Sequence, residues 1–296
     1  MTCDKLDIVA TQMASFWIQR NSFSDCKSMK RKHDDLRLHV VLLLRFLYAA
    51  LLNPCRYHIS FNTLQKAIEL NMAEDSVDDM YFGCNEAMMD TVKIEYFEKE
   101  GFAWDHDDEI RKCTENNLKE SKDQALTKYH MQAICVYTSN KLYKEFNDEV
   151  RTKKRFYGSS FNFHSLHFLL TSAIQILNNN YNCQTAYRRT SVKFTGKVNQ
   201  IIRLGFASSS QNTKLIQFGK KTCFKIETCS GAFLKDYSFF NEAEVLIPPY
   251  EMFIITEKIT NQTKVKMHGL DDCKVVYVLK SIGVKSNLNC NLMRVQ

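Results

Sequence analysis

Proline and glycine are scarce. The chain carries 3 Pro and 9 Gly among 296 residues. This excludes collagen-like and low-complexity classes and leaves no Pro/Gly/Ser-rich linker between modules. No C-x-x-C pair occurs, so neither a zinc ribbon nor a thioredoxin-like redox site is encoded. The absence of G-x-G-x-x-G argues against a Rossmann dinucleotide fold, and that of G-x-S-x-G against nucleophile-elbow hydrolase chemistry. No apolar run reaches the ~20 residues that a bilayer-spanning helix needs. Asp and Glu are missing altogether from residues 151–226.

What is present is ordinary for a globular protein, with 45% hydrophobic and 25% charged residues. The length fits one large domain or two small ones. Eleven cysteines, widely spaced, suggest a few staples on a sizeable core, and the odd count forbids complete pairing within one chain. The net charge is +7, and the acid-free stretch concentrates it: Arg151, Lys153, Lys154, Arg155, Arg188, Arg189 and Arg203 all lie there. Such a segment wants an anionic partner, be it nucleic acid, a heparin-like polymer or a phosphate-bearing cofactor, unless it is simply a solvated face. No recognisable nucleic-acid motif accompanies it, so no nucleic-acid partner is expected.

The apolar run His39–Leu52 has the length of a signal-peptide core, with Lys30-Arg31-Lys32 upstream; Met29 would place it normally as a start. Residues 1–70 read as a leader and 71–296 as the folded domain. The C-terminal end has no hydrophobic tail of the lipid-anchor kind, and Asn261-Gln262-Thr263 is a glycosylation sequon. Secretion, without a stable membrane span, is the expectation.

Phe163, Leu166, Leu169, Leu170, Ala173, Ile174 and Leu177 follow the spacing of a core-facing helix, which Asn178-Asn179-Asn180 ends. Tyr129 to Phe146 reads as a second helical stretch, and Tyr96 to Asn116 as polar with some helix. Downstream, Lys193-Phe194, Gln200–Leu204, Thr222–Thr228, Glu244–Ile247, Met252–Thr256 and Val275–Leu279 are short, β-branched or aromatic runs punctuated by glycines. Helices first and strands later predict an α+β fold. His164 and His167 have a possible metal-ligand spacing, but they share the core-facing helix and lack a third ligand; no metal is expected.

Three segments of the β half carry candidate chemistry: Tyr187-Arg188, Phe206-Ala-Ser-Ser-Ser210, and Glu242-Ala-Glu-Val-Leu-Ile-Pro-Pro-Tyr250. On an extended chain the carboxylates of Glu242 and Glu244 project to the same side. Together the segments resemble the Arg–Ser–Glu-x-Glu signature of the arginine-specific mono-ADP-ribosyltransferases, vertebrate ecto-enzymes related to cholera-like and clostridial toxins. Asp79-Met-Tyr-Phe-Gly-Cys84, Glu98–Trp104, Tyr143-Lys-Glu-Phe-Asn147, Phe163–Thr171 and Cys229-Ser-Gly-Ala232 match in the family's order, and the resemblance covers about Leu70 to Leu279.

The resemblance implies an ADP-ribosyltransferase fold, with N-terminal helices packed on a central β-sandwich. It implies transfer of ADP-ribose from NAD to arginine of a target protein, with release of nicotinamide. NAD glycohydrolase and a catalytically inactive extracellular recognition domain are the alternatives. Arg188 is expected to pair with the NAD phosphates. Ser208, or Ser209 in the neighbouring register, is expected to position the nicotinamide–ribose region. Glu244 is expected to stabilise an oxocarbenium-like cation, and Glu242 to hold and deprotonate the acceptor guanidinium. Tyr237, Phe239 and Phe240 are candidate acceptor contacts, with loop packing the competing role. The family usually has Gly after the motif arginine. Here Arg189 stands instead, either crowding the nucleotide or adding a phosphate contact. Two staples are implied, Cys183–Cys229 and Cys84–Cys273, with Cys290 a competitor for Cys84. Cys135 reads as a buried free thiol, and Cys3, Cys26 and Cys55 fall in the leader.

Overall fold

A computed structural model describes residues 67–101, 107–121, 123–178 and 182–294. The chain divides into two compact units, Met1–Asn62 and Thr63–Gln296, and every described residue belongs to the second. The apolar run at 39–52 and the leader cysteines lie outside the described residues.

The helices come first: α1 (Asn85–Thr91), α2 (Phe97–Lys99), α3 (Asp108–Glu120), α4 (Lys128–Thr138), α5 (Tyr143–Thr152) and α6 (His164–Leu177), with a short α7 (Gln262–Met267) later. Asp107 caps α3 by accepting from the N–H groups of Glu109 and Ile110. The helical stretch read from Tyr129 to Phe146 is formed by α4 and α5, with Asn140 between them in the left-handed region at a φ of 65°. Residues His130 to Thr138 of α4 are all buried, as suits a helix running through the core rather than along it. Helix α6 starts after Phe163 and ends at Asn178, as its apolar spacing requires.

Strands β1 (Ile68–Glu69) and β3 (Phe194–Thr195) pair with each other. The remainder form one eight-stranded sheet in the order β4-β9-β10-β6-β2-β5-β8-β7. They are β2 (Gln184–Thr190), β4 (Ile201–Ile202), β5 (Ala207–Ser210), β6 (Thr222–Thr228), β7 (Ala232–Phe233), β8 (Glu244–Ile247), β9 (Glu251–Ile259) and β10 (Val276–Val284). The α+β expectation therefore holds. The sheet is stitched unevenly: β2 and β6 share seven residue pairs, but β2 and β5 share only Tyr187–Ser210. At that single link the sheet folds over on itself. Ala207 and Ile247 of one half enter the same apolar cluster as Phe224, Ile226, Phe253, Ile255 and Leu279 of the other. Leu246, from the opposite face of β8, packs with Phe168 and Leu169 of α6. A sandwich with a helical layer is the result, and the crease between β2 and β5 opens towards α4 and α5.

Four disulfides close the unit: Cys84–Cys290, Cys113–Cys135, Cys183–Cys229 and Cys223–Cys273. The expected Cys84–Cys273 pair is corrected. Asp78 and Asp79 accept from the backbone N–H groups of Asn287, Leu288 and Cys290, which brings Cys290 to Cys84. Cys273 lies instead beneath β6, beside Cys223. Cys135 is buried, as expected, but bonded rather than free.

The helical layer is bound by buried polar links. Arg203 pairs with Asp78 at 2.5 Å. All four ring nitrogens of His164 and His167 are engaged, with Glu100, the Tyr157 carbonyl, the Tyr81 hydroxyl and the Val77 carbonyl. Neither histidine has a nitrogen left for a metal. Asp79, Tyr157, Tyr81 and His167 form a chain with successive separations of 3.0, 3.0 and 2.8 Å. The Val77 carbonyl only accepts, so His167 carries its proton on Nε2 and takes the Tyr81 proton on Nδ1. The single Tyr157 proton then serves either Tyr81 or Asp79. A protonated Asp79 completes the chain. Burial, against hydrogen bonds from Tyr81, Cys290 and Tyr157, raises that carboxyl to about 6.

Candidate active site

The crease is lined by Arg188 from β2, Ser208 from β5, Glu242 and Glu244 around the start of β8, and Tyr137 and Tyr143 from the helical layer. The structure thus brings all four sequence-predicted residues to one cleft.

Arg188 pairs in register with Phe224, and Arg189 with Cys223. Strand alternation turns them to opposite faces. The Arg188 guanidinium donates to the Ser208 carbonyl and, at 3.4 Å, to the Tyr143 hydroxyl. Burial works against its charge, but Tyr143, Tyr137 and Glu244 outweigh that and hold it protonated. Burial would likewise raise the Tyr143 phenol, yet the Arg188 charge beside it leaves it lowered. A planar cation held by a carbonyl and a phenol, with no carboxylate locked against it, keeps charge for an incoming anion.

Arg189 also lines the cleft, but its guanidinium is turned to other partners. Its Nε donates to the Thr213 carbonyl at 2.8 Å, and its Nη atoms reach the Asp271 carbonyl at 3.3–3.4 Å and Cys273 Sγ at 3.2 Å. The guanidinium is spent tying two loops together.

The serine triplet divides by register. Ser208 Oγ lies 3.4 Å from the Tyr137 hydroxyl, and its nearness lowers the Glu244 carboxyl against the larger rise from burial. Ser209 is buried on the other face and turns to its neighbour's carbonyl. Ser210 donates to the Glu242 carbonyl at 2.5 Å and accepts from Asn212 N–H at 2.8 Å.

The two glutamates differ in setting. Glu244 opens β8, is 6% exposed, and accepts from Ser238 Oγ at 2.8 Å. Burial raises its pKa; the Ser238 and Ser208 hydroxyls pull it back. Glu242 is half-buried and is raised by burial alone. The extended-chain argument for their shared side is corrected. Ala243 between them has a φ of 48°, so the chain turns there instead of running on as strand. Both line the cleft because of that turn, one deep and one outside the strand.

Three participants were not singled out from the sequence. Tyr137 and Tyr143 lie on different helices, and only the break at Asn140 brings their rings to 5.3 Å. Ser238 sits in the segment read for its aromatics. Its polar neighbour Tyr237 is buried, donating to Asp123 at 2.6 Å, while Phe240 is 42% exposed beside the cleft.

The cleft therefore sets a buried, serine-bonded carboxylate opposite an anion-seeking guanidinium, with a second carboxylate nearer solvent. A carboxylate of the first kind can stabilise a developing cation; the second can orient and deprotonate an incoming nucleophile. The sequence profile described as NAD:arginine ADP-ribosyltransferase matches residues 70–274.

The chain belongs to this family.

Ecto-ADP-ribosyltransferase 5 of Bos taurus is 35% identical over 249 residues, covering 76% of this chain and 78% of that protein. The erythroblast NAD(P)(+)--arginine ADP-ribosyltransferase of Gallus gallus is 33% identical over 248 residues, covering 77% of each. The crystal structure of the eukaryotic mono-ADP-ribosyltransferase ART2.2 superposes with a TM-score of 0.61 at 28% identity, over 75% of this chain and 98% of that one. A variant of ART2.2 crystallised with NAD gives a TM-score of 0.60 at 27% identity. Its likeness confirms the ADP-ribosyltransferase fold expected from the sequence.

Proposed function

We propose that this chain transfers ADP-ribose from NAD to the guanidinium of a protein arginine, releasing nicotinamide. The observation that carries the reading is Glu244, buried at the crease, bonded by the Ser238 hydroxyl and sharing one cleft with Arg188. Arg188 pairs with the pyrophosphate of NAD, and the basic stretch around it steers that anion inward. Ser208 orients the nicotinamide-bearing ribose. Glu244 stabilises the oxocarbenium-like cation as nicotinamide departs. Glu242 holds the acceptor guanidinium and takes its proton; the second acid is needed because a protonated guanidinium is a poor nucleophile. NAD is a substrate, and the steps call on no metal.

Nicotinamide release from NAD, measured with and without agmatine, tests the reading. Guanidine-dependent labelling is expected. Release that ignores agmatine would make the chain an NAD glycohydrolase, and silence from folded, oxidised protein would make it a recognition domain. Arg189 gives no support to the last, since its side chain is committed elsewhere. Glu244→Gln should abolish transfer and hydrolysis, whereas Glu242→Gln should remove transfer and spare hydrolysis. Equal loss in both would overturn the division of labour.

The setting we infer is extracellular, with a leader that ends before β1, since Ile68 and Glu69 pair with β3 and Leu70 is buried in the folded unit. All eight described cysteines are oxidised, as in proteins that fold in the secretory route. Among the described residues no helix is long and apolar enough to cross a membrane. Asn261 is exposed at the N-cap of α7, accessible for a glycan. Digestion of secreted protein with an amidase that removes N-glycans should increase gel mobility, and Asn261→Gln should abolish that shift.

A further inference from the structure

The short helical turn Lys235–Tyr237 and the residues after it lead into the glutamate pair, and they are fastened on both sides of Ser238. Before it, the Tyr237 carbonyl accepts from Asn117 Nδ2 at 2.8 Å. After it, Phe239 N–H donates to Thr138 Oγ1 at 2.8 Å. The Asn117 amide also touches Cys135 Sγ at 3.4 Å, beside the Cys113–Cys135 disulfide that couples α3 to α4. Tyr237 is anchored a second time through its hydroxyl, which donates to Asp123. With the flanking peptide groups tied to the helical layer, the Ser238 hydroxyl has little freedom. It points to Glu244 Oε2 at 2.8 Å. The Ser208 hydroxyl, by contrast, donates to the Tyr137 hydroxyl at 3.4 Å.

We propose that Ser238 is a positioning residue for ADP-ribose transfer, aiming the Glu244 carboxylate through a hydroxyl that the Asn117–Tyr237 and Thr138–Phe239 hydrogen bonds hold in place. The inference rests on Glu244 being the residue that assists NAD cleavage. It adds that the loop bearing Phe240, which lines the cleft, and the NAD-cleaving carboxylate are joined by one hydrogen bond. A hydrogen bond donated to a carboxylate favours its ionised form. Burial already disfavours that form at Glu244, so losing a donor leaves less of the competent anion at a given pH.

The test compares Ser238→Ala, Ser238→Thr and Asn117→Ser with the unaltered chain, following nicotinamide release from NAD across pH. In Ser238→Ala the acidic limb should move up by about one pH unit and kcat fall roughly tenfold, while KM for NAD stays within about twofold. Ser238→Thr keeps a hydroxyl and should restore the limb. Asn117→Ser loosens the loop without touching Glu244 and should move the limb in the same direction by less. Near-ultraviolet circular dichroism of each variant checks folding. An unmoved limb and unchanged kcat in Ser238→Ala, with Glu244→Gln inactive, would overturn the role of Ser238 and leave the proposed function standing. Failure of Ser238→Thr to recover would also overturn it, since the effect would then be one of packing. Full activity of Glu244→Gln would bring down the reading of the site itself.

Discussion

The hydroxyl of Ser210 donates to the backbone carbonyl of Glu242 at 2.5 Å, across the start of the β5–β8 ladder. The third serine of the triplet therefore shapes the turn between the two glutamates and has no hydroxyl proton left for substrate. Ser210→Ala should unfasten Glu242 while leaving Glu244 in its strand. Arginine-dependent labelling should fall about tenfold, with guanidine-independent nicotinamide release changed less than about threefold. Equal losses in the two assays would show that Ser210 acts on Glu244 as well.

Ala243 holds a left-handed backbone that costs a non-glycine residue roughly 1 kcal/mol. Ala243→Gly should be neutral or slightly stabilising in denaturant unfolding. Ala243→Val, β-branched in that region, should lose about 1–2 kcal/mol and most of the transfer activity. A stable, active valine variant would mean that the turn is not required.

Arg188 and Arg189 should separate cleanly. Arg188→Lys keeps charge but loses the planar fork, and kcat/KM for NAD should drop on the order of a hundredfold. Arg189→Gly should keep NAD cleavage within a few-fold. It should still lower thermal stability by about 1–3 kcal/mol, because the Thr213 and Asp271 carbonyls lose their donor. A gain in NAD affinity in the glycine variant would show instead that Arg189 obstructs the cleft.

The Asp79 carboxyl sits near 6 in the folded chain, against an ordinary 3.8. Between those values the folded state binds more protons than the unfolded one. This contribution to stability is thus full below about 4 and is lost as pH rises through 6, amounting to about 3 kcal/mol. Asp79→Asn mimics the protonated form. Its stability relative to the unaltered chain should improve from pH 4.5 to pH 7.5, with titrations common to both, such as those of His130 and His167, cancelling. A flat difference across that range would place an ionised Asp79 in the chain of hydroxyls.

Non-reducing peptide mapping should recover Cys84 linked to Cys290 and Cys223 linked to Cys273. In the loop-entropy account, the closure over 206 residues contributes about 5 kcal/mol and the Cys113–Cys135 closure over 22 about 3 kcal/mol. Cys84→Ser should therefore lower the melting temperature more than Cys113→Ser. A Cys84–Cys273 peptide would restore the pairing expected from the sequence.

The strands and α6 were legible because their signals are local. The apolar spacing from Phe163 to Leu177 and the β-branched runs at Thr222–Thr228 and Val275–Leu279 each carry their own signal, though the last strand runs on to Val284. Arg188, Ser208, Glu242 and Glu244 were legible only as short segments in a fixed order. Their meeting depends on a crease held by one residue pair. The partner of Cys84 was not legible, because it is chosen by the Asp78 and Asp79 carboxylates gripping backbone some 200 residues away. Ser238 was hidden for a similar reason: its neighbours are pinned by α3 and α4, which no local pattern reveals.

The Cys84–Cys290 bond turns nearly the whole described unit into a covalent ring. Every residue assigned a role in the cleft, from Tyr137 to Glu244, lies on its circumference. A single peptide-bond cut anywhere on that circumference cannot release a fragment; it yields two chains held together by the disulfide. A nicking protease would therefore leave every strand of the sheet covalently attached, and loss of a fragment would require a second cut or a reductant.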